Sequence, residues 1–443
     1  MSQQVLLLCS RRPIISEFDI LAKTFVEVGI TPIFVCVRPG SSKFLQGLTC
    51  DSEIVDLTRK EHLTGDEQLL HIAFGMLRVA SRAAARLRLR TLSDFMATYE
   101  AVQQGRWMCR RYLRINPNIA AVLIADDRDI RQDAGFIKSA GEAGIPSIVV
   151  QFGRADASAD LRRRMNDPNF KGSGAIRSAI FAEKDLRNDP VNERVSFLSF
   201  GEHLAMSLAG APLSAPWSYG GGNANYVAAI DAAEAQKMLD AGVDESKVFI
   251  SGQPSYDQLW SSRSRSQEIR DHLYAEHGFD RAQQLVICAL PVLGEHGMSA
   301  QPDQLLDSEV IFRRLKEVSS NVLISLHPRQ RLEDYVHLAE SAGVSIARQP
   351  LREIVVAADL FVAYSTTLQW ASLLSIPAIA LEHYNLGYLL FDNLPGVHVN
   401  TDIDELPGLA RSLMLNDRGD RNDSTVLDGQ SCRRIVDLCI RIN

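Results

Sequence analysis

The chain has 443 residues, enough for two or three domains, and its 47 basic and 54 acidic side chains give a net charge of −7. This acidic balance argues against a dedicated nucleic-acid binder, which is usually basic, and the hydrophobic fraction of 46% excludes wholesale disorder. The seven cysteines are scattered with no CxxC pair, and no signal peptide is evident, so we expect a cytoplasmic protein without a disulfide framework.

Short apolar runs alternate with helical spacings through the first third of the chain. Strands that alternate with helices predict a parallel, doubly wound sheet, and continuously apolar strands are typical of one buried on both faces. The predicted strands are Val5–Cys9, Thr31–Val37, Ser52–Leu57, Ala120–Ala125 and Ser147–Gln151, and the predicted helices are Ser16–Val28, Asp66–Arg114 and Asp133–Ala143.

Residues 154–225 are rich in charges and turn formers and end in Gly220, Gly221 and Gly222. A triple glycine is typical of a linker or hinge, and it can equally form a tight loop over a ligand. A second alternation follows. Its predicted strands are Tyr226–Ile230, Val248–Ser251, Gln284–Leu290, Asn321–Leu326, Val344–Arg348, Leu360–Ala363 and Ala378–Leu381, with helices that include Ala232–Ala241 and Gln258–Gly278.

These patterns predict an α/β protein with two Rossmann-like lobes, residues 1–220 and 221–443. The last predicted helix, Cys432–Ile442, can pack back on the first lobe. Ligands of open parallel sheets bind beyond the carboxyl ends of the strands, so we expect the site in a central cleft that both sheets face.

Two strand ends of the predicted second lobe carry residues that suit phosphate. Ser365, Thr366 and Thr367 follow one strand and precede a helix, where hydroxyls and N–H groups can bind an anion. An ordinary helix N-cap explains the same pattern. His327 and Arg329 follow another strand, where they can contact phosphate or protonate a leaving group, or simply end the strand.

Four further residues follow predicted strands. Gly252 permits close approach of the backbone to a ligand, or forms a plain turn. Asp126 and Asp127 end a strand of the first lobe, and one of them could be a general base, although helix capping is a common alternative. Gln151 ends the next strand and can line the same cleft.

Residues 78–114 are rich in arginine, and Arg78, Arg82 and Arg86 share one helical face. Such a face contacts an anionic membrane or a phosphorylated lipid, or it is simply solvated, which is commoner.

No cofactor-binding motif appears. The nearest pair of histidines, His272 and His277, is five residues apart and diverges on a helix, so we expect no metal. There is no GxxxxGK[ST] loop and no GxGxxG after a strand, which argues against ATP use by a P-loop and against a dinucleotide cofactor.

Three segments occur in an order that resembles a known family. Residues 252–257 read GQPSYD and are similar to a GNPxxD-like segment, and His327-Pro328 is similar to an HP element. Residues 365–367 lie where the family has a Ser-Gly-Gly or Ser-Ser element. This order resembles the second lobe of GT-B-fold sugar-nucleotide enzymes: hydrolysing UDP-N-acetylglucosamine 2-epimerases, CDP-glycerol glycerophosphotransferases, and bacterial capsule or lipopolysaccharide glycosyltransferases. The similarity covers most of residues 225–395.

The resemblance is weaker in the first lobe, where Asp127 falls at the Asp of the epimerase GD(T/R) element. Gln151 stands where the epimerases have a catalytic Glu, and a carboxamide cannot act as an acid or base. The counterpart of their His is missing, since the chain reads ALPV at residues 289–292, and Ala371 replaces their ribose-binding Glu. Glu382 could take over the ribose contact, because a carboxylate accepts two hydroxyl hydrogen bonds.

The resemblance implies a metal-independent glycosyltransferase that moves a sugar from a nucleotide-sugar to a surface-polysaccharide or glycolipid acceptor. The nucleotide would bind the second lobe, with His327 at its phosphates, while Asp127 or Asp126 would deprotonate the acceptor. Peripheral contact of residues 78–114 with the inner face of an anionic membrane stays open beside the commoner solvated face, and we expect no nucleic-acid partner. Two alternatives stay open, a UDP-sugar 2-epimerase or hydrolase and a non-catalytic sugar-nucleotide-binding protein.

Overall fold

The computed structural model describes residues 3–10, 12–59, 65–154, 157–172, 180–293, 300–384, 391, 393–415 and 426–442. The chain divides into two compact units. Unit 1 comprises residues 1–254 and 430–443, and unit 2 comprises residues 255–429. The sequence also predicts a polar loop over residues 416–429, before the last helix, and most of it lies outside the described residues.

Unit 1 is built on a parallel sheet, as the alternating pattern predicts. The strands of this unit are β1 (Gln4–Leu8), β2 (Thr31–Cys36), β3 (Glu53–Asp56), β4 (Ile119–Ile124), β5 (Ser147–Val150), β6 (Leu186–Asn188), β7 (Arg194–Ser196), β8 (Tyr226–Ala229) and β9 (Val248–Ile250). Within the described residues the sheet order is β3-β2-β1-β4-β5-β8-β9, and each neighbouring pair is parallel. Strands β6 and β7 form a separate antiparallel hairpin.

Helices cover both faces of this sheet. They are α1 (Arg12–Glu27), α2 (Gly65–Arg86), α3 (Arg90–Ile115), α4 (Gln132–Glu142), α5 (Ala157–Met165), α6 (Phe200–Leu208) and α7 (Ala232–Asp240). The long helical region predicted over Asp66–Arg114 consists of two helices, α2 and α3. The chain breaks between them at Arg88, whose φ of 60° is left-handed and incompatible with a continuous α-helix.

The alternation of side chains along β1 divides the core of unit 1 into two layers. Val5 and Leu7 pack in the layer that contains Phe18 of α1, whereas Leu6 and Leu8 pack in the layer that contains Phe136 of α4. All these side chains are fully buried, which is why the strands read as continuously apolar in the sequence.

The first two strands after the triple glycine belong to unit 1, because β8 pairs with β5 and β9 pairs with β8. The expected boundary between residues 220 and 221 thus falls inside unit 1. The three glycines are not an open hinge between units, because they form a buried loop within unit 1. A Cβ on Gly222 would lie 1.9 Å from the carbonyl oxygen of Asp127, so only glycine fits.

Unit 2 holds a second parallel sheet. Its strands are β10 (Leu285–Ala289), β11 (Asn321–Ser325), β12 (Ser345–Ile346), β13 (Leu360–Ala363), β14 (Ala378–Leu381) and β15 (Val397–Asn400). Among the described residues the order is β12-β11-β10-β13-β14-β15, with every neighbouring pair parallel. All of these strands were predicted from the sequence except β15, whose residues are largely exposed.

The helices that follow β9 are α8 (Pro254–Arg263), α9 (Ser266–His277), α10 (Gln301–Lys316), α11 (Leu332–Ala342), α12 (Leu351–Ile354), α13 (Leu368–Leu373) and α14 (Leu406–Leu415). The last helix, α15 (Ser431–Arg441), belongs to unit 1, where Ile435 and Val436 join the core layer of α1. In the described part of the chain, no helix is both long and apolar enough to cross a membrane.

Candidate functional site

The sheet of unit 2 has a switch point at β10. From β10 the chain passes to β11 and β12 on one side, and β13 then pairs with the other side of β10. The carboxyl ends of β11 and β13 therefore flank the end of β10. Because neighbouring strands lie about 4.8 Å apart, these two ends are roughly 10 Å apart. Ligands of open α/β sheets bind at such a point.

His327 lies in the turn that follows β11, half-buried. The backbone N–H of Arg329 donates to its Nδ1 at 3.2 Å, and Gln330 accepts from the His327 backbone N–H at 2.8 Å. With Nδ1 acting as an acceptor, the neutral imidazole carries its proton on Nε2, which makes Nε2 a hydrogen-bond donor. The side chain of Arg329 is exposed.

A network that the sequence analysis missed holds the ends of β10 and β11 together. The amide Nε2 of Gln330 donates to the carbonyl of Pro291 at 3.0 Å and to the hydroxyl of Tyr335 at 3.1 Å. Gln304 donates to the same two oxygens, at 2.8 and 3.2 Å. All four polar groups are buried, and such a network fixes loop geometry. The turn that carries His327 is therefore held in place.

The Ser365–Thr367 turn follows β13. The hydroxyls of Ser365 and Thr367 lie 2.6 Å apart, and the Thr367 N–H points to the Ser365 hydroxyl at 3.4 Å. Thr366 is exposed. The next helix, α13, has only six residues, and its Leu368 N–H bonds to the Ser365 carbonyl at 3.1 Å. The expected contribution of a helix dipole is therefore small, and the hydroxyls are the donors that this turn offers.

Glu382 follows β14 at the same edge of the sheet and is 8% exposed. Its backbone N–H donates to the carbonyl of Asn400 at 2.7 Å. The next two residues, which the sequence analysis did not single out, converge on Asp307 of α10. His383 Nε2 lies 3.0 Å from one carboxylate oxygen, and the hydroxyl of Tyr384 donates to the other.

This cluster adjoins the hydroxyl turn through aromatic contacts, since the ring of Tyr364, just before Ser365, meets that of Tyr384 edge-on at 5.5 Å. Burial and the charge of Asp307 raise the pKa of Tyr384, so its phenol stays protonated. No sequence signal marked the cluster, because Asp307 lies 76 residues before His383.

In unit 1, both carboxylate oxygens of Asp127 accept backbone N–H groups. Gly220 donates to Oδ1 at 3.0 Å, while Gly222 donates to Oδ2 at 2.8 Å and Ala224 at 3.4 Å. The side chain is 1% exposed. Burial, with the charge of Asp126, raises the pKa of Asp127 to about 6. These contacts give Asp127 a structural task, which is to anchor the glycine loop.

Asp126 forms a buried ion pair with Arg128. Two guanidinium nitrogens donate to its two oxygens at 2.9 Å each. The guanidinium also lies over the rings of Tyr219 and Phe197, at 4.5 and 5.5 Å. Paired in this way, Asp126 is a poor candidate for the acceptor base, because the guanidinium of Arg128 occupies both of its oxygens.

Gln151 and Gly252 lie at the carboxyl edge of the sheet in unit 1. Gln151 is fully buried, donates to Glu234 at 2.8 Å and accepts from the Ile230 N–H at 3.1 Å. Gly252 has φ of 83°, which favours glycine, and its N–H donates to Ala229 at 3.2 Å. Gly252 follows β9 and so belongs to unit 1, whereas the sequence analysis expected it in the lobe that binds the donor.

The predicted site residues thus form two groups. His327, Ser365, Thr366, Thr367 and Glu382 share the carboxyl edge of the sheet in unit 2, with Arg329 exposed beside His327. Asp126, Asp127, Gln151 and Gly252 share the corresponding edge in unit 1. Among the described residues, no group of three or more His, Cys, Asp or Glu is arranged to hold a metal ion.

Comparison with known proteins identifies solved structures with a similar fold. No protein-family model matches the chain, and no curated protein matches it. Among solved structures, UDP-GlcNAc 2-epimerase from Neisseria meningitidis, bound to UDP-GlcNAc, is similar with a TM-score of 0.56 and 10% identity over 99% of this chain and 100% of that one. The Methanocaldococcus jannaschii UDP-GlcNAc 2-epimerase gives 0.53 and 13% over the whole of both chains.

A third structure, LpCGTa in complex with UDP, has a TM-score of 0.55 and 14% identity over 100% of this chain and 99% of that one. These neighbours match the group of enzymes that the sequence motifs resemble, and at such low identity the likeness concerns the fold. The prediction of the fold class is confirmed: the chain has an α/β GT-B fold composed of two Rossmann-like units.

Proposed function

We propose that the protein is a glycosyltransferase that takes a sugar from a nucleotide-sugar bound at the carboxyl edge of the sheet in unit 2. The observation that carries the proposal is the placement of His327 and the Ser365–Thr367 turn on either side of the switch point at β10. Sugar nucleotides carry a diphosphate, and these two groups offer hydrogen-bond donors from opposite sides of one site.

The hydrogen-bond donors of this site suit the departure of a diphosphate. His327 presents an Nε2–H, and the hydroxyls of Ser365 and Thr367 can turn from each other toward a phosphate oxygen. As the bond to the sugar breaks, negative charge grows on the departing diphosphate. Donors fixed in place stabilise that charge, and they need no metal ion to do so. Glu382 is the candidate for the ribose hydroxyls.

We further propose that the acceptor of the sugar is a surface polysaccharide or a glycolipid. Residues 78–114 would contact an anionic membrane. Asp127 is the candidate for the base that deprotonates the acceptor hydroxyl, because a carboxyl with a pKa of about 6 can accept a proton near neutral pH. To do so it has to exchange the N–H of Gly220 or Gly222 for the acceptor hydroxyl.

Calorimetry with UDP-, GDP-, CMP-, CDP- and dTDP-sugars tests the donor site, and we expect one nucleotide family to bind. His327→Ala removes a hydrogen bond to a charged group, worth about 1.5–3 kcal/mol, and should weaken binding about ten- to a hundredfold. The matched control is His337→Ala, since the His337 side chain is 91% exposed on α11. Equal binding by wild type and His327→Ala would rule out this site.

A UDP-sugar 2-epimerase or hydrolase is the second candidate, and the fold shared with UDP-GlcNAc 2-epimerases favours it. It predicts epimerised sugar, or free UDP, without any acceptor. A non-catalytic binding protein predicts donor binding with no turnover. Incubation with the bound donor, with and without a pool of glycan and glycolipid acceptors, separates the three, because only a transferase needs the acceptor to form its product.

A further inference from the structure

The outer face of α2 exposes a row of large apolar side chains. Leu69, Ile72, Met76 and Val79 are 66, 57, 64 and 65% exposed. Their spacing of three, four and three residues places them on one side of the helix. The opposite side packs on the unit through Phe74, which is 6% exposed. We call this row the outer α2 face.

The C-terminal end of α2 and the turn after it are rich in arginine. The helix ends at Arg86, and the turn into α3 exposes Leu87 and Leu89 by 71 and 52%. Between Glu67 and Asp94 the sequence has no acidic residue and five arginines. This stretch therefore carries a charge of about +5 within a chain whose net charge is −7.

Ion pairs within unit 1 divide the arginines of residues 78–114 into two sets. Arg78 pairs with Glu100, Arg90 with Asp167, and Arg106 with Glu142. These charges are balanced inside the fold. By contrast, Arg82, Arg86 and Arg88 are exposed and make no ion pair with any residue that the structure describes. Arg114, in the last turn of α3, is exposed as well, so the open positive charge next to the outer α2 face lies at the end of α2 and in the turn after it.

We propose that the outer α2 face and its three arginines bind an anionic lipid surface. This inference rests on the membrane contact of the proposed function and moves that contact from residues 78–114 to residues 69–89. Apolar side chains of an interfacial helix enter the boundary between headgroups and acyl chains, while arginines bind the anionic headgroups. A second copy of α2 is a poorer occupant, because it has no acidic residue beyond its first turn to pair with these arginines.

The full-length chain, without nucleotide, is floated with vesicles of phosphatidylcholine alone or of phosphatidylcholine with 30% phosphatidylglycerol. We expect binding to the anionic vesicles only, and less binding in high salt. Each surface arginine is worth about 1 kcal/mol near such a membrane, so Arg82→Gln with Arg86→Gln should weaken binding roughly thirtyfold. Ile72→Ser with Val79→Ser should also weaken binding to the anionic vesicles, because these two side chains no longer insert between the headgroups and the acyl chains.

Two control variants carry matched changes elsewhere. Arg331→Gln with Arg348→Gln removes two arginines that are 75 and 86% exposed in unit 2, and Leu208→Ser removes an apolar side chain that is 67% exposed. Both should bind as wild type does. Equal binding to both vesicle types, no binding, or a dimer in solution that Ile72→Ser with Val79→Ser breaks would each overturn the proposal. Because no nucleotide is present, failure of the donor site leaves this result unaffected.

Discussion

Gly222→Ala tests whether the triple glycine is an anchored loop or a hinge. The added Cβ would lie 1.9 Å from the Asp127 carbonyl oxygen and 2.8 Å from its Cγ. The nearest obstacles are backbone atoms, which cannot rotate away as the tip of a long side chain can. The loop therefore has to move, and the N–H of Gly222 then leaves the Asp127 carboxylate, to which it donates at 2.8 Å.

The magnitude follows from these two losses. Forcing an extra methyl group into a packed interior costs about 1–3 kcal/mol. Breaking a hydrogen bond to a buried charged group adds about 1.5–3 kcal/mol. Because relaxation of the loop relieves part of each, we expect the free energy of unfolding of unit 1 to fall by about 2–5 kcal/mol. A domain has about 5–15 kcal/mol in total, so the variant loses a large part of it.

The measurement is hydrogen exchange of the intact chain followed by mass spectrometry, which reports on peptides of each unit separately. Peptides of β4 and β5 should exchange faster in Gly222→Ala, while peptides of unit 2 should not. The matched control is Gly141→Ala on α4, where a Cβ meets nothing within 4 Å. Alanine suits a helix better than glycine, so this control should gain up to about 1 kcal/mol.

Unchanged hydrogen exchange in Gly222→Ala would contradict an anchored loop. If Gly222→Ala exchanges as slowly as wild type in β4 and β5, the loop accommodates a side chain without loss. The glycines would then serve motion, as a hinge does, and the hydrogen bonds to Asp127 would be incidental to stability.

Two further predictions concern Asp127 and the hydroxyl turn. The pKa of Asp127 is about 6 in the folded chain and 3.8 in a free carboxyl, so folding binds this proton more tightly, and stability from Asp127 rises as the pH falls from 6 toward 3.8. In urea titrations, wild type should gain about 1 kcal/mol over Asp127→Asn from pH 7 to pH 5; an unchanged difference contradicts the raised pKa. Ser365→Ala with Thr367→Val should weaken nucleotide binding about a hundred- to ten-thousandfold in calorimetry, since two phosphate donors are lost. Ser341→Ala, exposed on α11, is the control, and equal affinities would leave the turn as a plain helix cap.

Most of the fold could be predicted because buried parallel strands leave a strong local signal. The run at residues 360–363 was predicted with the bounds that β13 has. The break between α2 and α3 could not be predicted, since the apolar spacing continues across Arg88 and nothing local signals its positive φ. The boundary of the units was missed because β8 has the same apolar pattern whichever sheet it joins.

Some residues of the candidate site could be predicted from the sequence and others could not. Sequence placed His327 and Ser365 after strands, and the strand order then brought both to one switch point. The role of Asp127 as the anchor of the glycine loop could not be predicted, because its partners Gly220 and Gly222 lie 93 and 95 residues further along the chain. The same holds for Asp307 and His383, which local patterns cannot connect.

The position of α15 has a consequence for how the protein is made. Unit 2 is one continuous segment, inserted between the two pieces of unit 1, residues 1–254 and 430–443. A chain emerging from the ribosome therefore releases all of unit 2 before the helix that completes the core of unit 1. Unit 2 can fold during synthesis, whereas unit 1 has to wait with the part of its α1 core layer that α15 covers still exposed. Loss of the last fourteen residues would leave it in that state permanently.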